Sequence, residues 1–100
     1  METINKQPYE AFTISTDFGS NFASGEAIVL QDVVAVDRFG IDATAAIIEA
    51  DSVASNGAST VSALLSGGDE AHSPYKITFR CATSVGHRWE YDVQLRVREV

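Results

Sequence analysis

The segment from residue 88 to residue 99 is Arg-Trp-Glu-Tyr-Asp-Val-Gln-Leu-Arg-Val-Arg-Glu. Every odd position from Trp89 to Val97 is apolar, and every even position is charged or carries an amide. Side chains alternate between the two faces of a strand, whereas a helix would distribute this pattern around its whole circumference. Residues 75–81, Tyr-Lys-Ile-Thr-Phe-Arg-Cys, alternate in the same way. We therefore predict a closing antiparallel hairpin whose odd-numbered side chains, from residue 75 to residue 97, are shielded from solvent.

The predicted register of this hairpin follows from a turn at residues 84–88 around Gly86. The pairs expected on the apolar face are Ile77 with Leu95, Phe79 with Val93, and Cys81 with Tyr91. On the polar face, Arg80 is expected opposite Asp92. A shift of the register by one residue would move Phe79 into water, whereas a shift by two would keep every side chain on its face.

Turn residues divide the rest of the chain into segments of strand length. We expect strands at residues 9–16, 26–37 and 59–65, and a bulge near Gln31-Asp32 where the alternation of the second strand shifts. Residues 41–55 are expected to form one or two short strands, although the spacing of their apolar residues also fits a helical turn. Asn56-Gly57 predicts a tight hairpin turn, since both residues tolerate positive φ.

The number and spacing of these segments predict the fold class. About seven strands, each roughly ten residues from the next and bounded by turn residues, are typical of a β-sandwich. Tyr75 follows Pro74 at the start of the penultimate strand, where the tyrosine of an immunoglobulin-like domain bonds back to the preceding loop. The predicted fold is therefore all-β, an immunoglobulin-like antiparallel β-sandwich of about seven strands. It would lack the usual disulfide, because Cys81 is the only cysteine.

A chain of 100 residues is expected to form one domain. Residues 1–8 are polar and end in Pro8, so we predict a flexible N-terminal arm followed by a single β-sandwich domain at residues 9–100. The sequence contains neither an apolar run of the ~20 residues that a membrane span requires nor the basic and apolar stretches of a signal peptide. The expected location is the cytoplasm of the cell that makes the protein.

Charges are unevenly distributed along the chain, whose net charge is −7. Residues 1–75 contain two basic and eleven acidic side chains, whereas residues 76–100 contain five basic and three acidic ones. The overall charge opposes binding to nucleic acid or to an anionic membrane, because most of the surface repels phosphates. The basic hairpin beside an acidic remainder could let copies dock head to tail, but a solvated strand face is the simpler interpretation.

Few residues could perform chemistry. His72 with Asp69 and Glu70 supplies three potential metal ligands in one short stretch, but a solvent-exposed loop is the preferred interpretation. Cys81 has no neighbouring base and lies on the apolar face, so we expect a small buried side chain. No catalytic residue, metal site or cofactor is predicted, and the protein is not expected to be an enzyme.

Aromatic side chains offer two possible binding surfaces. Trp89 and Tyr91 begin the last strand, and their alternation with the apolar residues that follow favours core packing over an exposed sugar-binding platform. Phe18, Phe22 and Phe39 lie in predicted loops, where they either plug the ends of the sandwich or form a docking patch.

Three stretches together suggest a family. Residues 75–99 form the alternating hairpin, residues 6–8 are Lys-Gln-Pro, and residues 24–26, Ser-Gly-Glu, lead into a valine-rich strand. In this combination most of the chain resembles small structural proteins of tailed bacteriophages and prophages. The resemblance implies an immunoglobulin-like virion component, such as an adaptor between the tail and its fibres or another head or tail accessory, without catalytic residues.

The preferred hypothesis is a non-enzymatic phage or prophage virion component that acts through protein–protein contacts, in the bacterial host cytoplasm during assembly and then in the virion. Its partners would be other phage structural proteins or further copies of itself, contacted through a free edge strand or through loops. Phe18 and Phe22 are the predicted contact residues, with Arg96 and Arg98 as charge partners. The alternative hypothesis is a carbohydrate- or cell-surface-binding immunoglobulin-like module, which requires Trp89 to be exposed.

Overall fold

The protein is a sandwich of two β-sheets in a computed structural model that describes residues 1–99. The strands of this part of the chain are β1 (Glu2–Lys6), β2 (Phe12–Asp17), β3 (Ile28–Val36), β4 (Ala54–Ser55), β5 (Thr60–Leu65), β6 (Tyr75–Thr83) and β7 (Arg88–Val97). One sheet has the order β1-β7-β6-β3, and the other has the order β2-β5-β4. A 3-10 turn (Gly19–Asn21) and a four-residue helix α1 (Thr44–Ile47) lie in the connections. The predicted all-β sandwich is confirmed.

The core lies between the sheets and consists mainly of the inward-facing residues of the strands, with Phe18, Ile47 and Ile48 added by the connections. Its largest fully buried side chains are Phe79, Ile47, Leu65, Ile77, Leu95, Val61 and Val97. In β5 the alternation is complete, since Val61, Ala63 and Leu65 are buried and the residues between them are half-buried. Each large aliphatic or aromatic side chain that is fully buried contributes about 1.5–3 kcal/mol to folding. The period-two pattern therefore accounts for both the strands and the core.

The closing hairpin has the predicted faces, but each residue of β6 pairs with a residue of β7 that lies two positions earlier in the chain than predicted. The observed pairs are Ile77 with Val93, Phe79 with Tyr91, Cys81 with Trp89, and Arg80 with Glu90 instead of Asp92. The turn is the reason: the Thr83 N–H donates to the His87 carbonyl (2.9 Å) across a three-residue loop. Gly86 has a φ of +85° there, a conformation that glycine adopts without steric cost. The strands therefore begin to pair closer to Gly86 than a longer turn would allow.

The shielding of odd-numbered side chains in this hairpin is confirmed for β6 and for the second half of β7, but Val85 and His87 in the turn and the start of β7 are more exposed than predicted. Tyr91 is 41% exposed, and Trp89 is half-buried. The neighbouring strand β1 begins at Glu2, which lies beside Val93. Residues 89–91 therefore extend past the end of β1 and lie at an open margin of the sheet.

The prediction of a flexible arm at residues 1–8 is wrong for residues 2–6, which form β1. This strand runs parallel to β7, with Glu2 beside Val93 and Lys6 beside Val97. The four-stranded sheet is therefore mixed instead of purely antiparallel. The polar composition of the segment misled the prediction because β1 is an edge strand, of which only Ile4 and Lys6 turn away from solvent.

Lys6 is 2% exposed although it is a lysine. Its Nζ donates to the carbonyl oxygens of Gln7 (2.9 Å), Pro8 (3.1 Å) and Gly67 (2.6 Å). An ammonium group has three N–H donors, so all of them are used. Burial lowers the pKa of Lys6, and the nearby Glu10 carboxylate acts in the opposite direction. The side chain ties β1 to the loop that follows β5.

The connections contain two further predicted features. The Tyr75 hydroxyl accepts a hydrogen bond from the Asp69 N–H (3.2 Å), which confirms the predicted bond to the preceding loop. Asn56 and Gly57 do lie in a hairpin, between β4 and β5, but the loop is longer than a two-residue turn. The Asn56 Oδ1 accepts from the N–H groups of residues 58, 59 and 60, which stabilises this wider loop.

Residues 41–55 contain both of the alternatives that the sequence left open. The helical turn α1 buries Ile47, and the short strand β4 pairs with β5. Among residues 1–99 no helix is long and apolar enough to cross a membrane.

Candidate interaction surface

An open groove of about 660 Å³ lies where β3, β6 and β7 approach the β6–β7 turn. Its lining residues are Leu30, Gln31 and Asp32 of β3, Arg80, Cys81 and Ala82 of β6, and Arg88, Trp89 and Glu90 of β7. The walls combine aliphatic and aromatic groups with a few charged side chains. Grooves of this composition bind extended or apolar partners more readily than small polar solutes.

Three exposed aliphatic side chains lie at the same end of this sheet. Val29 is 57% exposed, Leu30 is 68% exposed and Val85, in the β6–β7 turn, is 55% exposed. We call these three residues and the groove the hairpin-end surface. A cluster of exposed apolar groups on a soluble protein commonly marks a site of protein contact.

A β-bulge explains why Val29 and Leu30 are both exposed. The pairing of β3 with β6 shifts by one residue between Ile28 and Leu30. Ile28 and Val33 are both buried although they are five positions apart, a spacing that would put them on opposite faces of a regular strand, so one extra residue must be accommodated. The prediction placed this bulge near Gln31-Asp32. It lies at Val29 because the Ile28 N–H is held by the Ala58 carbonyl (3.0 Å).

Strand β3 is an edge strand that is covered over only part of its length. At its C-terminal half, the Ala35 N–H donates to the Thr44 Oγ1 (3.0 Å), and the Ala43 N–H donates to the Ala35 carbonyl (2.8 Å). The outward-facing groups of Ala35 are thus satisfied by the segment before and within α1. Gln31 and Ala35 are four positions apart in the regular part of β3, so the N–H and C=O of Gln31 point away from β6, as those of Ala35 do. Residues 29–32 are all exposed. The edge is therefore open at residues 29–32, whereas the Ile28 N–H before them is already bonded to the Ala58 carbonyl.

Charged side chains on the outer face next to this edge balance one another. The Arg80 guanidinium lies 3.5 Å from the Glu90 carboxylate and 3.8 Å from the Asp32 carboxylate. Arg88 is a second basic residue on the same wall of the groove. The exposed pairs contribute little to stability, at most about 1 kcal/mol each. Their importance is that this part of an acidic protein has no net charge.

Glu26 connects the β6–β7 turn to the loop that precedes β3. Its carboxylate is fully buried and accepts from the Ala23 N–H (2.8 Å) and from Nδ1 of His87 (3.1 Å). The Thr83 hydroxyl and the Ala23 N–H lower the pKa of this carboxyl, burial opposes them, and His87 adds to the lowering. The ionised carboxylate thus holds the turn that carries Val85.

Trp89 and Cys81 both line the groove. The Trp89 ring packs against the core and meets the His87 ring edge-on at a centroid distance of 5.7 Å. Its indole Nε1 is buried and has no hydrogen-bond partner among residues 1–99. The predicted core packing of Trp89 is therefore confirmed in large part, and the exposed indole that a sugar-binding platform requires is not present. Cys81 is 4% exposed, as predicted, and burial raises the pKa of its thiol.

The predicted contact residue Phe18 belongs to the core. It is 3% exposed, and its N–H donates to the Ser59 carbonyl (2.8 Å). Phe22 is half-buried and packs against the same core. The alternative that the loop aromatics plug the end of the sandwich is observed for Phe18 and Phe22, whereas Phe39 is 60% exposed. Phe18 cannot contact a partner while the loop keeps this conformation, so we remove it from the candidate surface.

Arg96 and Arg98 are exposed, as charge partners would have to be. They lie at the opposite end of β7 from the groove and line two shallow clefts, one beside Glu10 and the other beside Glu70. The structure does not bring them together with Phe18 or with the hairpin-end surface. Their role as contact residues stays a prediction.

The histidine considered as a metal ligand, His72, is paired with one carboxylate. Its Nδ1 lies 2.7 Å from the Asp69 Oδ1, and both side chains are largely exposed. Hydrogen bonds from the His72 side chain and N–H lower the pKa of Asp69. Within residues 1–99 no group of three or more histidine, cysteine, aspartate or glutamate side chains is arranged to hold a metal ion.

Sequence patterns missed the hairpin-end surface. The run Ile-Val-Leu at residues 28–30 was assigned to a strand, but exposure of its last two residues depends on the bulge. A weak signal was present, because three consecutive aliphatic residues cannot all face the core in one strand. Comparison with known proteins found no family model that matches the chain and no matching curated protein.

Proposed function

We propose that the protein is a non-enzymatic virion component of a tailed phage or prophage, a tail or head–tail adaptor or accessory, that acts through protein–protein contacts. The observation that carries the proposal is the hairpin-end surface, in which Leu30 and Val29 are exposed beside an open strand edge. Strand edges bind extended segments through main-chain hydrogen bonds, and adjacent apolar side chains add affinity.

The strand order supports an immunoglobulin-like assignment within this proposal. If β2–β7 are equated with strands B–G, the two sheets become B-E-D and C-F-G, as in immunoglobulin-like domains. The hydrogen bond from the Asp69 N–H to the Tyr75 hydroxyl has the position of the tyrosine corner. One departure is that β1 joins the sheet of β7 and not that of β2.

The test is the composition of assembled particles. Particles released by the bacterium that encodes the chain would be purified by density gradient, and their proteins identified by mass spectrometry and chemical cross-linking. We expect the protein in a fixed ratio to tail or portal proteins, with cross-links from the hairpin-end surface or from Arg96 and Arg98. Absence from purified particles, or genes of a metabolic operon on both sides of its own, would contradict the proposal.

The carbohydrate-binding alternative is testable separately. A glycan array probed with the purified protein is expected to show no specific binding, since the half-buried Trp89 does not offer a flat exposed ring. Specific binding that an exposed-aromatic variant such as Phe39→Ala abolishes would favour the alternative.

A further inference from the structure

The smaller sheet has an open edge at β2. Strand β2 pairs with β5 on one side, and among residues 1–99 no strand pairs with it on the other. We infer that this edge binds an extended segment of another protein, in which apolar residues alternate with polar ones that include lysine or arginine. The segment would run antiparallel to β2 and extend the sheet by one strand. The inference goes beyond the proposed function, because it concerns a different surface and does not require a virion.

The first argument is the direction of the backbone groups of β2. The Phe18 N–H donates to the Ser59 carbonyl (2.8 Å), on the side of β5. Backbone groups of successive residues in a strand point to opposite edges, so the N–H and C=O groups of Thr13, Ser15 and Asp17 point away from β5. They form a row of outward donors and acceptors. Such a row matches the backbone of an extended chain, whereas a helix uses its own backbone groups internally.

The second argument is that this edge lacks the usual protection. Its sequence, FTISTD, contains no proline or lysine and only one charged residue. Proline, lysine and a covering segment are the usual means by which proteins prevent edge strands from pairing. In immunoglobulin-like domains a first strand pairs with the strand equivalent to β2, but here β1 pairs with β7 in the other sheet. The position beside β2 is therefore free for a strand from another molecule.

The third argument is the cleft along this edge, which predicts the alternation of the segment. The cleft has a volume of about 440 Å³ and lies between β2 and the margin where β7 extends past β1. On its β7 side, Tyr91 is 41% exposed, although its side chain has the same parity as the buried Val93. On the other side, Phe12 and Ile14 pack against the core but are only half-buried. Apolar side chains at alternate positions of an added strand would cover these groups.

The fourth argument is charge, which selects a basic segment. The lining of the cleft includes Glu2, Asp17 and Glu90 and no basic residue. Glu90 is partly balanced by Arg80 at 3.5 Å, so the uncompensated charge comes from Glu2 and Asp17. A lysine or arginine opposite Asp17 would be attracted, whereas an acidic segment would be repelled by a protein of charge −7. A second copy does not supply this segment, because its own alternating basic stretch is already paired in β6 and β7.

A synthetic peptide tests the inference. The probe is Lys-Val-Thr-Val-Lys-Val-Lys with blocked ends, which places its valines opposite Thr16, Ile14 and Phe12 and its first lysine opposite Asp17. A contact of this size is weak, so binding to isotope-labelled protein would be followed by NMR at peptide concentrations up to about 1 mM. We expect saturable shift changes confined to β2, the turn at residues 18–21 and residues 90–91. The control peptide Glu-Val-Thr-Val-Glu-Val-Glu keeps the alternation and should bind at least about tenfold more weakly.

Two matched pairs identify main-chain pairing. N-methylation of the peptide threonine removes an N–H that faces Ser15 and should abolish binding, whereas N-methylation of the valine after it alters an N–H that points away from β2 and should retain binding. In the protein, Ser15→Pro removes an outward N–H and should weaken binding about tenfold or more. Ser15→Ala loses the same hydroxyl, which bonds to Ser62, but keeps the N–H and should retain binding. Circular dichroism shows whether each variant is folded, and the peptide pair decides where Ser15→Pro is not.

Three results would overturn the inference. One is the absence of saturable shift changes in β2 at about 1 mM peptide. A second is equal affinity for the lysine and glutamate peptides, and a third is an equal effect of the two N-methylations. None of them contradicts the proposed function, which depends on the presence of the protein in particles. Conversely, the expected binding by a protein that is absent from particles would retain the inference and remove the proposed function.

Discussion

Individual residues show where burial and charge conflict in this fold. Lys6 is the clearest case, because an ammonium group buried without partners would be strongly destabilising. Three backbone carbonyls, one of them from Gly67 in a distant loop, satisfy its donors completely. The side chain therefore joins β1 to the loop that follows β5.

We expect Lys6→Met to lower the free energy of unfolding by about 1–3 kcal/mol, because the aliphatic packing is kept while three buried carbonyls lose a donor. Lys76→Met on the exposed face of β6 is the control and should change stability by less than about 0.5 kcal/mol. Urea denaturation monitored by circular dichroism would measure both. An increase in stability of Lys6→Met would show that desolvation of the ammonium outweighs its hydrogen bonds.

Glu26 makes the stability of the fold sensitive to acid. The pKa of its carboxyl is lowered in the folded state, mainly by the Thr83 hydroxyl and the Ala23 N–H, from an ordinary value of 4.5. A carboxyl with a lowered pKa contributes stability at pH values above the ordinary one, and this contribution is lost as the pH falls through the lowered value. The same direction holds for Asp17 and Asp69.

Glu26→Gln should therefore be less stable than the parent protein at neutral pH and should lose less stability on acidification below pH 4.5. Glu49→Gln, on an exposed glutamate, should follow the parent protein at both pH values. Denaturation midpoints measured at neutral and acidic pH give the comparison. Parallel pH profiles for Glu26→Gln and the parent would show that the buried carboxylate does not contribute to acid sensitivity.

Some residue positions were predictable and others were not, for a physical reason. The burial of Cys81 and Phe79 follows from alternation within one strand, which is local information. The burial of Lys6 and Phe18 depends on partners supplied by segments more than 40 positions away in the chain, such as Gly67 and Ser59. No local pattern reports such partners.

At the scale of elements, glycines determine how closely two segments approach. Gly67 and Gly86 both have positive φ, but their surroundings differ. A Cβ at Gly86 would meet nothing within 4 Å, whereas a Cβ at Gly67 would lie 2.5 Å from the Ala46 carbonyl oxygen. The first position requires glycine for the turn alone, and the second also requires it for packing against α1.

Gly86→Ala should cost about 1–2 kcal/mol, the steric cost of a left-handed backbone conformation for a residue with a Cβ. Gly67→Ala should cost about 1–3 kcal/mol more, because the backbone must move away from Ala46. Thermal unfolding of the two variants measures the difference directly. Equal losses would mean that the loop at Gly67 shifts freely, and that it does not hold the Lys6 contact rigidly.

Elements defined by strong alternation were predicted well, and those defined by pairing were not. The strands β2, β3, β5, β6 and β7 each overlap the predicted segments, because each buries one face. Strand β1 was missed because its position depends on the open edge of β7. The predicted hairpin register differed from the observed one by two residues because a shift of two leaves every side chain on its face. The candidate site was missed for a similar reason: exposure of Leu30 depends on a one-residue bulge.

Across the whole molecule, charge is separated by face. Lys76, Arg80, Arg88 and Arg96 occupy even positions of β6 and β7 and are exposed, whereas most of the fourteen acidic residues lie elsewhere. Two copies of such a molecule therefore repel each other at long range.

The parallel placement of β1 beside β7 also determines how the protein would respond to tension. Segments joined before Glu2 and after Val97 leave the sheet in opposite directions, so a pull on both drives the two strands past each other along their length. The five neighbouring pairs between them would then resist together, instead of separating one after another as in a zipper. A load applied between Glu2 and Val97 would therefore shear this pair of strands and not peel them apart.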